Sequence, residues 1–189
     1  MKRKDDKYLT PLKTIGGTDA NMIAQGKLYE VWINKLHPEK QPDLSGIFQV
    51  NLGVETEPFN REWSIKWFME QTEKKVIMPE KTFYRKDIPF GHCRPDGIIK
   101  NDNKYGDSIL ECKHTNAFND IKKVTQRYYY QIQWNMWITK SALCYMSVIF
   151  GNKWDYWEVE PDVDKTTDLV LKVEDFWEKY IKTGIEPPR

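Results

Sequence analysis

The stretch that decides the fold is Phe90-Gly91-His92-Cys93-Arg94-Pro95-Asp96-Gly97-Ile98-Ile99-Lys100-Asn101-Asp102-Asn103-Lys104-Tyr105-Gly106-Asp107-Ser108-Ile109-Leu110-Glu111-Cys112-Lys113-His114-Thr115. It reads as two short strands, with apolar runs Gly97-Ile98-Ile99 and Ile109-Leu110, on either side of a turn-rich segment from Asn101 to Asp107. Paired as an antiparallel hairpin about that turn, Ile99 opposes Ser108, Ile98 opposes Ile109 and Asp96 opposes Glu111. Opposed side chains have Cβ atoms roughly 4.5–5.5 Å apart, so two carboxylates come close enough to share one ion. Because side chains alternate along a strand, Glu111 and Lys113 point one way and Cys112 points the other way, into packing.

That surface carries chemistry. Two carboxylates without a neutralising partner repel, and one tends to take up a proton. A hard divalent cation removes the conflict, since magnesium prefers carboxylate and water oxygens. The Lys113 ammonium is then placed to orient a water or to meet charge building on a phosphate. The bland alternative is a surface hairpin whose charges are merely solvated, and the flanking sequence has to choose between them.

Toward the N-terminus, Val76-Ile77-Met78 and Thr82-Phe83-Tyr84 read as two short strands leading into the Asp96 strand, for a sheet of about four strands with Ile109–Cys112. Residues 44–73 read as a long helical segment, with Leu52, Phe59, Trp63, Trp67 and Phe68 at roughly helical spacing. Pro58 predicts a kink or restart near Glu57-Pro58. Glu57 matters only if that helix packs beside the hairpin. Further back, Gly16-Gly17-Thr18-Asp19 signals a helix start with Thr18 as N-cap, a short helix Asp19–Ala24 and a second helix Lys27–Leu36.

Toward the C-terminus, Phe118–Thr139 is the clearest helix. Tyr128, Gln131 and Asn135 share one face, and Ile121, Ile132 and Met136 read as core. Glutamine among aromatics is costly to bury unpaired, so Gln131 is expected to have a designated partner. Leu143–Phe150 and Trp154–Glu160 form a hairpin about Gly151-Asn152-Lys153. A last helix covers residues 163–183, with Thr166 or Thr167 as cap and Gly184 as stop.

The chain is long enough for one domain with a real core, residues 11–189, behind a charged tail at residues 1–10. Hydrophobic content of 40 % and abundant aromatics fit a folded globular chain. No apolar run approaches membrane-spanning length, and no apolar segment follows the charged N-terminus, so neither a membrane-spanning helix nor a secretory signal is expected. Cys93, Cys112 and Cys144 are widely spaced, without metal-ligand spacing, and fit reduced thiols in a cytoplasmic setting, a host cytoplasm if the chain is phage-encoded. Net charge of +1 gives no global pull toward nucleic acid, so DNA contact must come from local Lys and Arg clusters.

Pro95-Asp96 followed by Glu111-Cys112-Lys113 resembles the PD-(D/E)XK signature of metal-dependent nucleases. The wider order resembles the lambda-exonuclease or YqaJ-like viral recombinase family over roughly residues 11–182. Ile15-Gly16-Gly17-Thr18-Asp19-Ala20 is similar to its Gly-Gly-Ser-Asp-Ala opening, and Gly53-Val54-Glu55-Thr56-Glu57 to its Gly-x-x-x-Glu motif. Arg94-Pro95-Asp96-Gly97 and Leu110-Glu111-Cys112-Lys113 match its pair of catalytic strands, and the run from Tyr128 to Trp137 matches its Tyr-x-x-Gln-x-Gln-x-x-Met-Trp helix.

The resemblance implies an α/β fold, a central mixed β-sheet flanked by helices. It implies magnesium or manganese, one or two ions, held by Asp96, Glu111, Glu57 and the Cys112 backbone carbonyl. Lys113 would position or activate the attacking water, and Gln131 would orient the lysine or the scissile phosphate. Thr18, Lys13, Tyr128, Arg94, Thr115 and Arg127 would contact DNA. The family arginine expected before the Gly-Gly-Thr turn is missing, and Lys13 stands nearest to it. The activity implied is digestion of linear double-stranded DNA from a 5′ end, leaving a 3′ single strand for an annealing partner. A ring-shaped homo-oligomer is known for one family member, and nothing in this sequence shows one. An endonuclease on the same core and a non-catalytic binding module are the competing readings. An iron–sulfur variant is disfavoured because three scattered cysteines cannot supply four thiolates.

Overall fold

The computed structural model describes residues 14–79, 81–103 and 106–189; the charged tail and Lys13 lie outside the described residues. A five-stranded sheet carries the fold, in the order β1 (Val76–Ile77), β4 (Gly97–Asn103), β5 (Gly106–Thr115), β6 (Cys144–Phe150), β7 (Lys153–Val159). The β4–β5 register is the one read from the sequence: Ile98 opposes Ile109 and Ile99 opposes Ser108. Only one register sends the apolar set inward, because a one-residue slip would turn every side chain over. The β5–β6 pair is parallel and the other pairs are antiparallel, so the sheet is mixed. A parallel neighbour needs a crossover, and the helix α4 (Ile121–Thr139) supplies it.

Alternation along β5 splits the core into two layers. Ile109 packs with Val124, Ile132 and Met136 of α4, while Leu110 and Cys112 pack with Phe68 of the helix α3 (Phe48–Thr72). Beyond α4, Trp134 and Ile138 join a third cluster with Ile23 of α1 (Gly17–Ala24), Val31 of α2 (Leu28–Leu36) and Val173 of α5 (Val163–Phe176). Fully burying each such side chain contributes roughly 1.5–3 kcal/mol.

The structure corrects several expectations. Phe83–Tyr84 (β2) does not join the main sheet; it pairs with His92–Cys93 (β3) in a separate two-stranded ribbon, and β6 and β7 complete the five strands. Pro58 does not break α3, which runs unbroken from Phe48 to Thr72. An interior proline costs about 3 kcal/mol. Against that stand Asn60, Ser64 and Phe68, all buried after the proline and all held by tertiary contacts. Thr18 is not a cap: Gly16 is the N-cap of α1, and Asp19 accepts the Gly16 N–H at 2.8 Å. Asp162 rather than Thr166 or Thr167 caps α5, accepting from Lys165 N at 3.0 Å. Ile121 is 40 % exposed at the start of α4 and is not core. Among the described residues, no helix is long and apolar enough to cross a membrane.

Candidate active site

One cleft of about 820 Å³ gathers the predicted residues: Asp96, Glu111, Lys113, Glu57 and Gln131 all line it. Four elements bring them there. Asp96 precedes β4, and its N–H donates to Leu110 O at 3.0 Å while its Oδ2 accepts from Cys112 N at 2.7 Å. The carboxylate is thus pinned across the ladder beside Glu111. Glu111 and Lys113 come from β5, one residue apart on the same face, and Lys113 Nζ donates to Glu111 Oε1 at 2.6 Å. The helix α4 lies over that face. Gln131 Nε2 donates to Glu111 Oε1 at 2.6 Å, and Asn135 Nδ2 donates to Oε2 at 3.2 Å. The partner expected for Gln131 is therefore Glu111. Tyr128, one turn earlier, places its ring 5.0 Å from Lys113 Nζ.

The electrostatics follow from burial. Glu111 is 4 % exposed. Burial pushes its carboxyl above the ordinary value, Lys113 pulls it back, and the neighbouring charge of Asp96 pushes it up again. Burial alone would lower the Lys113 ammonium, but Glu111 and Asp96 outweigh it and hold the lysine protonated. Two neighbouring carboxylates, one of them driven toward neutrality, are the setting in which a bound cation is favoured. The acidic groups Asp96, Glu111 and Glu57 offer carboxylate oxygens, which suit a hard divalent ion. Glu57 reaches the same cleft from α3 but ion-pairs with Arg61 at 2.8 Å. Among the described residues, no three His, Cys, Asp or Glu side chains are gathered as a ready-made metal shell.

Of the residues expected to contact DNA, Thr18 and Arg94 line the cleft. Thr115 and Arg127 do not: Thr115 ends β5 and bonds Asn119, and Arg127 is exposed on α4 with its carbonyl accepting from Asn21. Cys112 faces the α3 layer, as expected from strand alternation.

Five further cleft residues carry no site role in the sequence reading: Asn135, Arg61, His92, Lys35 and Asp19. Asn135 shares the helix face of Tyr128 and Gln131, but nothing in the local sequence points to Glu111 as its partner. Arg61 carries a signal in hindsight, since it stands one turn after Glu57 with opposite charge. His92 and the buried Lys35–Asp19 pair, 2.6 Å apart, line the α1 end of the cleft. They come from three separated segments, and no local pattern joins them. His92 is 7 % exposed, and burial followed by the nearby Lys35 charge lowers its imidazole to about 4.

Comparison with known proteins bears on this cleft. No curated protein matches the sequence. Among solved structures, the chain is similar to an alkaline exonuclease (LHK-Exo) from Laribacter hongkongensis, with TM-score 0.67 and 16 % identity over 89 % of this chain and 88 % of that one. The same protein in complex with dAMP gives TM-score 0.68 at 17 % identity, over the same 89 % and 88 %. A phage-related exonuclease from Haemophilus somnus 129PT gives TM-score 0.63 at 12 % identity, over 91 % of this chain and 96 % of that one. At these identities the likeness concerns the fold. The family model for the YqaJ-like viral recombinase domain matches residues 10–142, a span that holds every cleft residue named above. On that match, the chain belongs to the YqaJ-like viral recombinase domain family.

Proposed function

We propose that this chain, a nuclease of the YqaJ-like family, is a magnesium- or manganese-dependent exonuclease acting on the ends of linear double-stranded DNA, in the 5′ to 3′ direction, through one domain spanning residues 11–189. The observation that carries the reading is the buried Glu111 carboxylate, held by Lys113, Gln131 and Asn135 in a cleft shared with Asp96. Asp96, Glu111, Glu57 and the Cys112 backbone carbonyl are the groups that would hold one or two cations. When bound, such an ion lowers the pKa of a water and stabilises charge on the phosphate.

The chain's own residues do the rest. Gln131 and Asn135 keep both Glu111 oxygens in place, so the carboxylate does not reorganise during the reaction. Lys113 spends one of its three donors on Glu111, and the others serve to orient the attacking water and to meet charge on the phosphoryl oxygens. Thr18 and Arg94 stand along the same cleft to position the strand. The 3′ single strand left behind is a substrate for an annealing protein.

The test compares end-labelled linear duplex with covalently closed circular duplex, in magnesium and in chelator. Loss of label from linear DNA alone, abolished by chelator, supports the proposal. Digestion of the closed circle rejects an exonuclease in favour of an endonuclease on the same core. Unchanged activity of Lys113→Ala rejects the site. Labelling each end separately reads the direction.

A further inference from the structure

We propose that Arg61 is a phosphate-contacting residue of the cleft, its guanidinium taking a backbone phosphate of the bound DNA strand. The proposal rests on the nuclease reading above and adds to it a residue outside the acidic centre.

Arg61 lines the cleft at 6 % exposure, an unusual place for a guanidinium. One amino group donates to Glu57 Oε1 at 2.8 Å. Its Nε–H is buried and meets no acceptor. Buried donors on a charged group are normally satisfied, and leaving one unmet costs free energy. A guanidinium carries five N–H donors and the Glu57 bond uses one of them, so donor capacity remains for an acceptor in the cleft.

The other cleft cations with defined partners are already matched to carboxylates. Lys113 holds Glu111 and Lys35 holds Asp19, each at 2.6 Å. Arg61 differs because a donor remains over, and its planar fork fits two phosphate oxygens in a way an ammonium does not. Its position is fixed from below. Asn60, the preceding residue, donates to Lys113 O and Ser147 O, both at 3.0 Å, which fastens this turn of α3 to the strand that bears Glu111 and Lys113. A phosphate held by Arg61 thus lies beside the proposed reaction centre. Glu57 is coupled to this role: a cation that engages Glu57 weakens its hold on Arg61 and frees the guanidinium for the strand.

The test measures binding, not turnover. Affinity of the full chain for a short 5′-phosphorylated duplex is measured with calcium in place of magnesium, across a sodium chloride series. Arg61→Gln is expected to weaken binding about tenfold and to lower the slope of log affinity against log salt by about one, the signature of one lost phosphate contact. Arg61→Lys keeps the charge without the fork, and is expected to retain the slope while binding several-fold more weakly. Circular dichroism melts establish folding. If Arg61→Gln does not fold, Arg61→Lys decides, and wild-type affinity in that variant overturns the proposal. Wild-type slope and affinity in folded Arg61→Gln overturn it as well, and leave the nuclease reading intact. Failure of the wild-type chain to bind or cut duplex overturns both.

Discussion

Replacing Lys113 by Met isolates the buried carboxylate at the centre of the cleft. The ammonium donates to Glu111 Oε1 at 2.6 Å, and Glu111 is 4 % exposed. Burial already raises the Glu111 carboxyl above its ordinary 4.5, and the Lys113 charge is the main influence opposing that rise. Without the lysine, the folded Glu111 carboxyl is held further above its ordinary value, while in the unfolded chain it keeps that ordinary value. A carboxyl with a raised folded pKa stabilises the fold below its unfolded value, and that contribution is lost as pH rises toward the folded value. While the folded form stays protonated the slope is that of one proton, about 1.4 kcal/mol per pH unit. Relative to the double variant Lys113→Met/Glu111→Gln, which has no carboxyl to titrate, Lys113→Met is therefore expected to lose stability as pH rises from about 5 into the neutral range, with a slope of up to about 1.4 kcal/mol per pH unit. Urea unfolding of both variants in chelator, at intervals across that range, gives the difference with other titrations cancelled. Profiles that stay parallel within about 0.5 kcal/mol would refute the burial account of Glu111.

Other changes test other contacts. Gly17→Ala would press a methyl into Asn135 Oδ1 and to within 3.0 Å of Gln131 Cγ, so it should displace both amides from Glu111 and cut nuclease activity at least about tenfold, although alanine favours helix. Steady-state hydrolysis of labelled duplex measures it, and wild-type turnover would show the amides are not needed. Asn60→Ala removes the bonds to Lys113 O and Ser147 O and should cost about 3 kcal/mol, a fall of roughly 6–12 °C in melting temperature by circular dichroism. His92 is lowered from 6.5 to about 4, so its contribution is present above about pH 6.5 and lost as pH falls through about 4. His92→Asn should remove about 3 kcal/mol of acid-side destabilisation, read by urea unfolding at acid and neutral pH. Magnesium should raise the melting temperature of the wild-type chain and not that of a Glu111→Gln/Asp96→Asn variant, as checked by thermal melts with and without chelator.

The hairpin was legible because two independent signals agree on it. Period-two alternation fixes which face Ile109 and Glu111 share, and the turn-rich run marks where the chain reverses, although the register itself shifts between Ile99 and Asn103. The need for a partner at Gln131 was also legible, since an amide among aromatics must be satisfied. Its identity was not, because Glu111 reaches it only once α4 has crossed the sheet. Pro58 shows a local rule losing to packing, with the anchors Asn60, Ser64 and Phe68 outweighing the kink that the proline predicts. The Gly16 cap was obscured by Thr18, a better capper by residue type; the carboxylate of Asp19 reaching back to Gly16 was the sequence signal. His92, Lys35 and Asp19 become neighbours only through tertiary contact between α1, α2 and the β2–β3 ribbon.

The parallel pairing of β5 with β6 has a kinetic consequence. The second strand cannot dock until the intervening helix has formed and folded back, so the ordering cost of that long excursion precedes any reward from the pairing. The same docking event aligns Gln131 and Asn135 with Glu111. Assembly of the cleft and closure of the sheet are then one cooperative transition: on heating, turnover and far-ultraviolet ellipticity should disappear together, and the amides of β5 and β6 should exchange with solvent only through global opening.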